Sequence, residues 1–157
     1  MIDYSDYIKP VYDIIGASMA VHSELHWGLL EPVYQEALHL ELLDRGIENE
    51  CEQEVRVYYK KHLLEKRYRM DMMVGDIILE LKSVTKIIPA HRAQLCNYLR
   101  LTRKPVGLLI NFGEESLVCE RWAFDKDTNS CFIVDRYMDS IDDADYDNLL
   151  DTEESTN

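Results

Sequence analysis

The sequence predicts an α/β domain in which helices flank a mixed sheet. Three observations predict it. Apolar residues recur at three-to-four spacing over residues 7–25, again after Pro32, and again over 90–101, the period of helices that bury one face. Short alternating runs lie between them, two of them joined at Gly75-Asp76, a two-residue turn signal. The almost wholly apolar run 105–112 comes after the third helix. A strand buried on both faces and parallel to a neighbour reads this way when a right-handed crossover leads into it.

Each element has its own local reason. In the first helix Ile8, Val11, Ile14, Ile15, Ser18, Met19, Val21, His22 and Leu25 make the apolar stripe, with Pro10 in the first turn. Gly28 is placed to end that helix in a left-handed conformation. Pro32 fits only a first turn, so Glu31 stands at the N-terminus of the second helix, where the backbone dipole favours an anion. Leu38, Leu42 and Leu43 are its expected core face, and Gly46 its stop. Residues 50–60 alternate as a strand, and Lys60-Lys61-His62 turns the chain. Pro89 opens the third helix. There Gln94 and Tyr98 share a face, with His91 a turn earlier, while Leu95, Cys96 and Leu99 look toward the sheet. Residues 116–123 and 131–137 are candidate edge strands, open to pairing with a second copy as a homodimer.

The turn at Gly75-Asp76 organises the chemistry. A type II′ turn there pairs Val74 with Ile77, Met73 with Ile78, Met72 with Leu79 and Asp71 with Glu80. Strict alternation then gives Tyr68, Met70, Met72, Val74, Ile77, Leu79 and Leu81 one apolar face, and Asp71, Glu80 and Lys82 the other. Two facing carboxylates beside a core repel each other and resist desolvation. A hard divalent ion such as Mg²⁺ between them relieves both costs, and the Lys82 ammonium is placed to face a phosphate.

Charge points to the same segment. The chain carries a net −13, yet residues 56–104 hold twelve Lys or Arg against four acids, and residues 139–157 hold eight acids and no base. A polyanion is therefore steered to the segment with the paired acids. The acidic tail reads as a solvated extension that could cover this surface. At 157 residues the chain fits one domain, residues 1–138, before that tail. No stretch approaches the ~18–20 apolar residues of a membrane span. No basic region followed by an apolar run opens the chain, so no secretion signal is expected. The four cysteines, 51, 96, 119 and 131, lack C-x-x-C spacing and are expected as buried thiols in a reducing, cytoplasmic setting. The five histidines make no H-E-x-x-H pattern, which counts against a histidine-based metal hydrolase.

The motifs also carry a family likeness. Gly28-x-x-Glu31-x-x-Tyr34 resembles the signature of the GxxExxY family, within the PD-(D/E)XK nuclease superfamily. Tyr68-x-x-Asp71, Ile78-x-Glu80-x-Lys82, Ala93-Gln94-Leu95-x-Asn97-Tyr98-Leu99 and 107–113 are similar to its later segments in the same order. The chain departs from the pattern in having His26-Trp27 before Gly28 and Met70 before Asp71. The resemblance implies a restriction-endonuclease-like core, αβββαβ, with a mixed sheet of four to five strands. It also implies an Mg²⁺- or Mn²⁺-dependent nuclease acting on nucleic acid, DNA in the first instance. Asp71, Glu80 and Glu31, with the Leu81 backbone carbonyl, would be the metal ligands. Lys82 would be the catalytic lysine, and Gln94 and Tyr98 look like the QxxxY motif of the superfamily's exonuclease branch. Tyr34, His22 and Arg69 are further residues expected to face the substrate with them. The competing reading is a catalytically silent nucleic-acid-binding or protein-interaction module on the same fold.

Overall fold

The computed structural model of the chain describes residues 3–141. After a short 3-10 turn at Ser5–Tyr7 come α1 (Ile8–Leu25) and α2 (Glu31–Asp44). Three strands come next, β1 (Glu50–Tyr59), β2 (His62–Val74) and β3 (Ile77–Lys82). The chain then forms α3 (Pro89–Thr102), β4 (Val106–Asn111), β5 (Val118–Asp125) and β6 (Ser130–Val134). The six strands form one sheet in sequence order. Every neighbouring pair is antiparallel except β3 and β4, which are parallel. The sheet is thus mixed, as expected, and extends beyond four or five strands because β5 and β6 continue it past β4.

Alternation along the two central strands divides the core. Ile77, Leu79 and Leu81 of β3, with Val106, Leu108 and Ile110 of β4, pack with Ile14, Tyr34, Leu38 and Leu42 of α1 and α2. Ile78 and Leu109 pack on the other face with Leu95, Tyr98 and Leu99 of α3. Gly107 also faces α3, and its lack of a side chain matters: a Cβ there would lie 2.7 Å from Leu95 Cδ1. Burying a leucine-sized side chain from water stabilises by roughly 2 kcal/mol. All six residues of β4 are buried, so β3 and β4 form the most protected part of the sheet.

Several local expectations change. His26, at φ +60, ends α1, donating its N–H to the His22 carbonyl at 2.8 Å. Gly28, at φ +96, shapes the connecting loop two residues later. Leu43 is exposed, and Tyr34 takes the core place beside Leu38 and Leu42, because the buried stripe starts nearer the N-terminus of α2. Cys96 of α3 and Cys131 of β6 are joined in a disulfide, contrary to the expected thiols. Their 35-residue separation hides a proximity that only the packing of α3 on the sheet creates. At the expected tail boundary, Ser140 bridges Val134, and Ile141 donates its N–H to the Ile133 carbonyl at 3.1 Å. The acidic residues from 142 onward lie outside the described residues.

The largest departure concerns β2. The Gly75 turn sets the expected pairs, Val74–Ile77, Met73–Ile78 and Met72–Leu79, with positive φ at Gly75. The ladder stops there, so Asp71 and Glu80 are not a ladder pair. On the other side β1 pairs Cys51 with Met72 and Gln53 with Met70, skipping Glu52 and Asp71, and Glu52 sits at φ +56. Both strands change faces at this point without slipping register. Met72 packs against α1 and α2, whereas Met70, Tyr68 and Val55 pack against α3. A left-handed residue inside a strand reverses the facing of the residues beyond it, and the paired strand reverses too, to keep its hydrogen bonds. The β1–β2 hairpin consequently bends over α3, and the carboxylates stand where it bends.

Candidate active site

The kink opens a gap in the sheet, and the site is built around it. Leu81 comes directly after Glu80 on β3 and faces β2, where its N–H would ordinarily meet a backbone carbonyl. It donates instead to Asp71 Oδ2 at 2.9 Å. Asp71 returns its own N–H to Glu80 Oε1 at 3.4 Å. Side chains thus replace the missing rung, and both carboxylates meet at one gap. A residue in a strand sends its C=O to the same side as its N–H, so the Leu81 carbonyl opens on this gap too.

Electrostatics tie four acids and one amine together there. Glu80 is 2 % exposed, and burial first, then the Asp71 charge, pushes its carboxyl up to about 8. The Asp71 N–H and the Lys82 ammonium act in the opposite sense. Burial also raises Asp71, against the Leu81 N–H and Lys82, and Glu52 adds to the rise. Half-buried Glu31 is raised by burial and then by Asp71, with Lys82 opposing. Glu31 opens α2, so the helix dipole supplies part of the compensation a carboxylate needs there.

Lys82 is held from α3. Its Nζ donates to Gln94 Oε1 at 3.0 Å, and Gln94 Nε2 donates to Tyr98 Oη at 3.4 Å. Tyr98 in turn donates to the carbonyl of Arg69, the residue before Met70, at 3.1 Å. Tyr98 is 4 % exposed, and burial, then Glu80, raises its phenol. Gln94 and Tyr98 therefore form a relay that positions Lys82 and holds the bent strand. Gln94 keeps an exposed side, whereas Tyr98 does not.

The remaining expected residues lie around this centre in different ways. Tyr34 is fully buried, stacked on Phe112 with centroids 4.7 Å apart. Its hydroxyl donates to the His26 carbonyl at 2.6 Å and accepts the Leu29 N–H at 3.1 Å, which fixes the loop leading to Glu31. Ser83, next to Lys82, donates to the Leu29 carbonyl at 2.5 Å and ties that loop to the end of β3. His22 is buried beside Phe112, and its Nε2 donates to the Glu114 carbonyl at 2.9 Å. The Arg69 guanidinium is exposed and lies 3.8 Å from Glu52.

Sequence reasoning missed Glu52 and the pair Arg92–Glu120. Glu52 sits at the kink, accepts Gln35 Nε2 at 2.9 Å and acts on both Asp71 and Glu31. Its facing depends on a positive φ that no spacing rule signals. Glu120 is 2 % exposed, bound by Arg92 through two nitrogens at 2.9–3.1 Å and by Trp122 Nε1 at 3.1 Å. Across the sheet Glu80, Leu109 and Glu120 form one row. An acid amid the apolar residues of β5 was the available signal, of the same kind as Glu80. Asn111, also buried, binds both backbone groups of Val84 and so fixes the segment after Lys82.

By chemistry the groups that meet at the gap, the Asp71 and Glu80 carboxylates and the Leu81 backbone, offer the oxygen donors a hard divalent cation prefers, and Glu80 is short of compensating charge. Among the described residues, no group of three or more Asp, Glu, His or Cys side chains is placed to hold a metal ion. Mg²⁺ sites commonly use one or two carboxylates and complete their shell with water and substrate phosphate. No described helix is long and apolar enough to cross a membrane.

Residues 9–122 match a family model described as the PD-(D/E)XK nuclease superfamily. No curated protein matches the chain, and no solved structure does.

Proposed function

The chain belongs to the PD-(D/E)XK nuclease superfamily, and from that membership we propose a divalent-metal-dependent nuclease that hydrolyses nucleic acid, with DNA as the substrate to test first. The observation that carries this reading is the convergence of Asp71, Glu80 and the Leu81 backbone on one gap in the sheet, with Lys82 beside them. Asp71, Glu80, Glu31 and the Leu81 carbonyl would hold the ion. When bound, the ion would lower the pKa of a coordinated water and offset charge on the phosphate. The protein's own groups do the rest. Gln94 fixes the Lys82 ammonium, which is available to orient the water or to offset charge building on the phosphate oxygens. Tyr98 holds Gln94 and the backbone of β2, so the amine and Asp71 keep their relative positions. Tyr34 and Ser83 hold the loop that presents Glu31.

The test uses supercoiled plasmid and labelled oligonucleotides with Mg²⁺, Mn²⁺ or EDTA. Cleavage is expected with either metal and absent in EDTA. Asp71→Asn should lower the rate at least about 100-fold, or ~2.7 kcal/mol of barrier. An Asp71→Asn protein that cuts at the wild-type rate would remove the assignment. Salt-dependent DNA retention with no metal-dependent product would instead identify a silent binding module.

A further inference from the structure

Beyond Val57 and Tyr68, which still pack against α3, β1 and β2 leave the body of the protein. Residues 58–67 are exposed without exception, although they include Tyr58 at 58 %, Tyr59 at 62 %, Leu63 at 42 % and Leu64 at 38 %. A two-stranded ribbon with apolar groups in water on both faces is marginal by itself. Its sequence is also basic: residues 56–67 carry Arg56, Lys60, Lys61, Lys66 and Arg67 against Glu65 alone. Arg56 and Arg67 lie near Glu54. Among the described residues Lys60, Lys61 and Lys66 make no ion pair; Lys60 lies over the Tyr59 ring and Lys66 over Tyr68. The same two strands carry Glu52 and Asp71 at the kink, so the ribbon continues from the site.

We propose that this hairpin is a nucleic-acid-gripping arm, its lysines tracking phosphates and its tyrosines packing against the backbone sugars. The proposal rests on the nucleic-acid reading of the site and adds where the substrate lies. Amines with no carboxylate partner release counterions from a polyanion at little cost, and exposed aromatic rings next to them can cover the apolar faces of sugars without regard to sequence. At ~3.3 Å per residue the tip reaches on the order of 25 Å from Asp71. That spans roughly seven nucleotide steps at 3.4 Å each.

Binding in EDTA separates the arm from the chemistry. The full chain and the variant Lys60→Gln/Lys61→Gln/Lys66→Gln are titrated onto a fluorescein-labelled 30-base-pair duplex between 50 and 200 mM NaCl, with thermal melts confirming equal folding. The wild type should bind with a steep salt dependence. The triple variant should lose about 2–3 from the slope of log K against log salt, at ~0.9 per phosphate contact. Its affinity should fall tenfold or more, and single-turnover cleavage at saturating DNA should stay unchanged. Tyr58→Ala/Tyr59→Ala should weaken binding with the slope retained. An unchanged slope and affinity in the triple variant overturns the arm and leaves the nuclease assignment standing, the ribbon then serving another partner such as an acidic protein. Slope loss without any metal-dependent cleavage supports the arm and overturns the nuclease. A wild type that binds no DNA at 50 mM salt overturns the arm.

Discussion

Glu80→Gln tests the electrostatics of the gap without relying on catalysis. Glu80 is 2 % exposed, and its carboxyl is pushed up from 4.5 to about 8, by burial and then by Asp71. Below 4.5 the folded and unfolded chains both hold the proton, and the folded state keeps its full stability. Between 4.5 and about 8 only the folded chain holds it, so stability falls as pH rises, and above about 8 the loss is complete. At ~1.4 kcal/mol per pH unit the gap sets a ceiling on the order of 5 kcal/mol. Part of that is shared with Asp71 and Glu31, which are raised in the same direction. In EDTA at pH 8, Glu80→Gln should therefore be more stable than the wild type by about 2–3 kcal/mol, or ~5–10 °C in melting temperature for a chain of this size. The wild type should lose stability steadily from pH 5 to 8.5, and the variant should show a shallower slope. Adding Mn²⁺ at pH 8 should raise the wild-type melting temperature well above the variant's response. Superimposable stability–pH curves for the two proteins in EDTA, measured by circular dichroism, would refute the reasoning.

Two substitutions probe how the site is held. At Gly113 a Cβ would stand 2.3 Å from both the N and the O of Val84, backbone that Asn111 holds in place. Gly113→Ala should cost about 2–3 kcal/mol in urea unfolding, and a neutral result would show the segment after Lys82 to be less tightly held. Tyr98→Phe removes the bonds to Gln94 and to the Arg69 carbonyl while keeping the ring. It should cost about 1–2 kcal/mol of stability and lower kcat more than it changes KM. A change confined to KM would assign the hydroxyl to substrate instead.

The sequence by itself determined most of the elements and the turn that brings Asp71 and Glu80 near each other. Three-to-four periodicity located α1 and α3, Pro32 and Pro89 opened their helices in the first turn, and Gly75-Asp76 set the β2–β3 register through three rungs. These are local signals, carried within a few residues by backbone geometry. The run 105–112 announced β4 because a strand covered on both faces tolerates almost nothing polar. The acid at Glu80 stood out for the same reason.

Only the tertiary structure decided how those pieces meet. Strict alternation would place Met70 beside Met72, yet a single positive φ at Glu52 turns β1, and β2 turns with it. That reversal breaks the rung between Met70 and Leu81 and lets the Asp71 carboxylate take the Leu81 N–H. It also directs Met70 and Tyr68 toward α3, where Tyr98 can reach the Arg69 carbonyl. The disulfide between Cys96 and Cys131, the contact of Arg92 with Glu120 and the placing of Glu52 arise likewise from elements distant in sequence and adjacent in space. The physical reason is that a backbone dihedral and a packing contact depend on what the whole fold can satisfy, whereas spacing along the chain records only what each segment prefers alone.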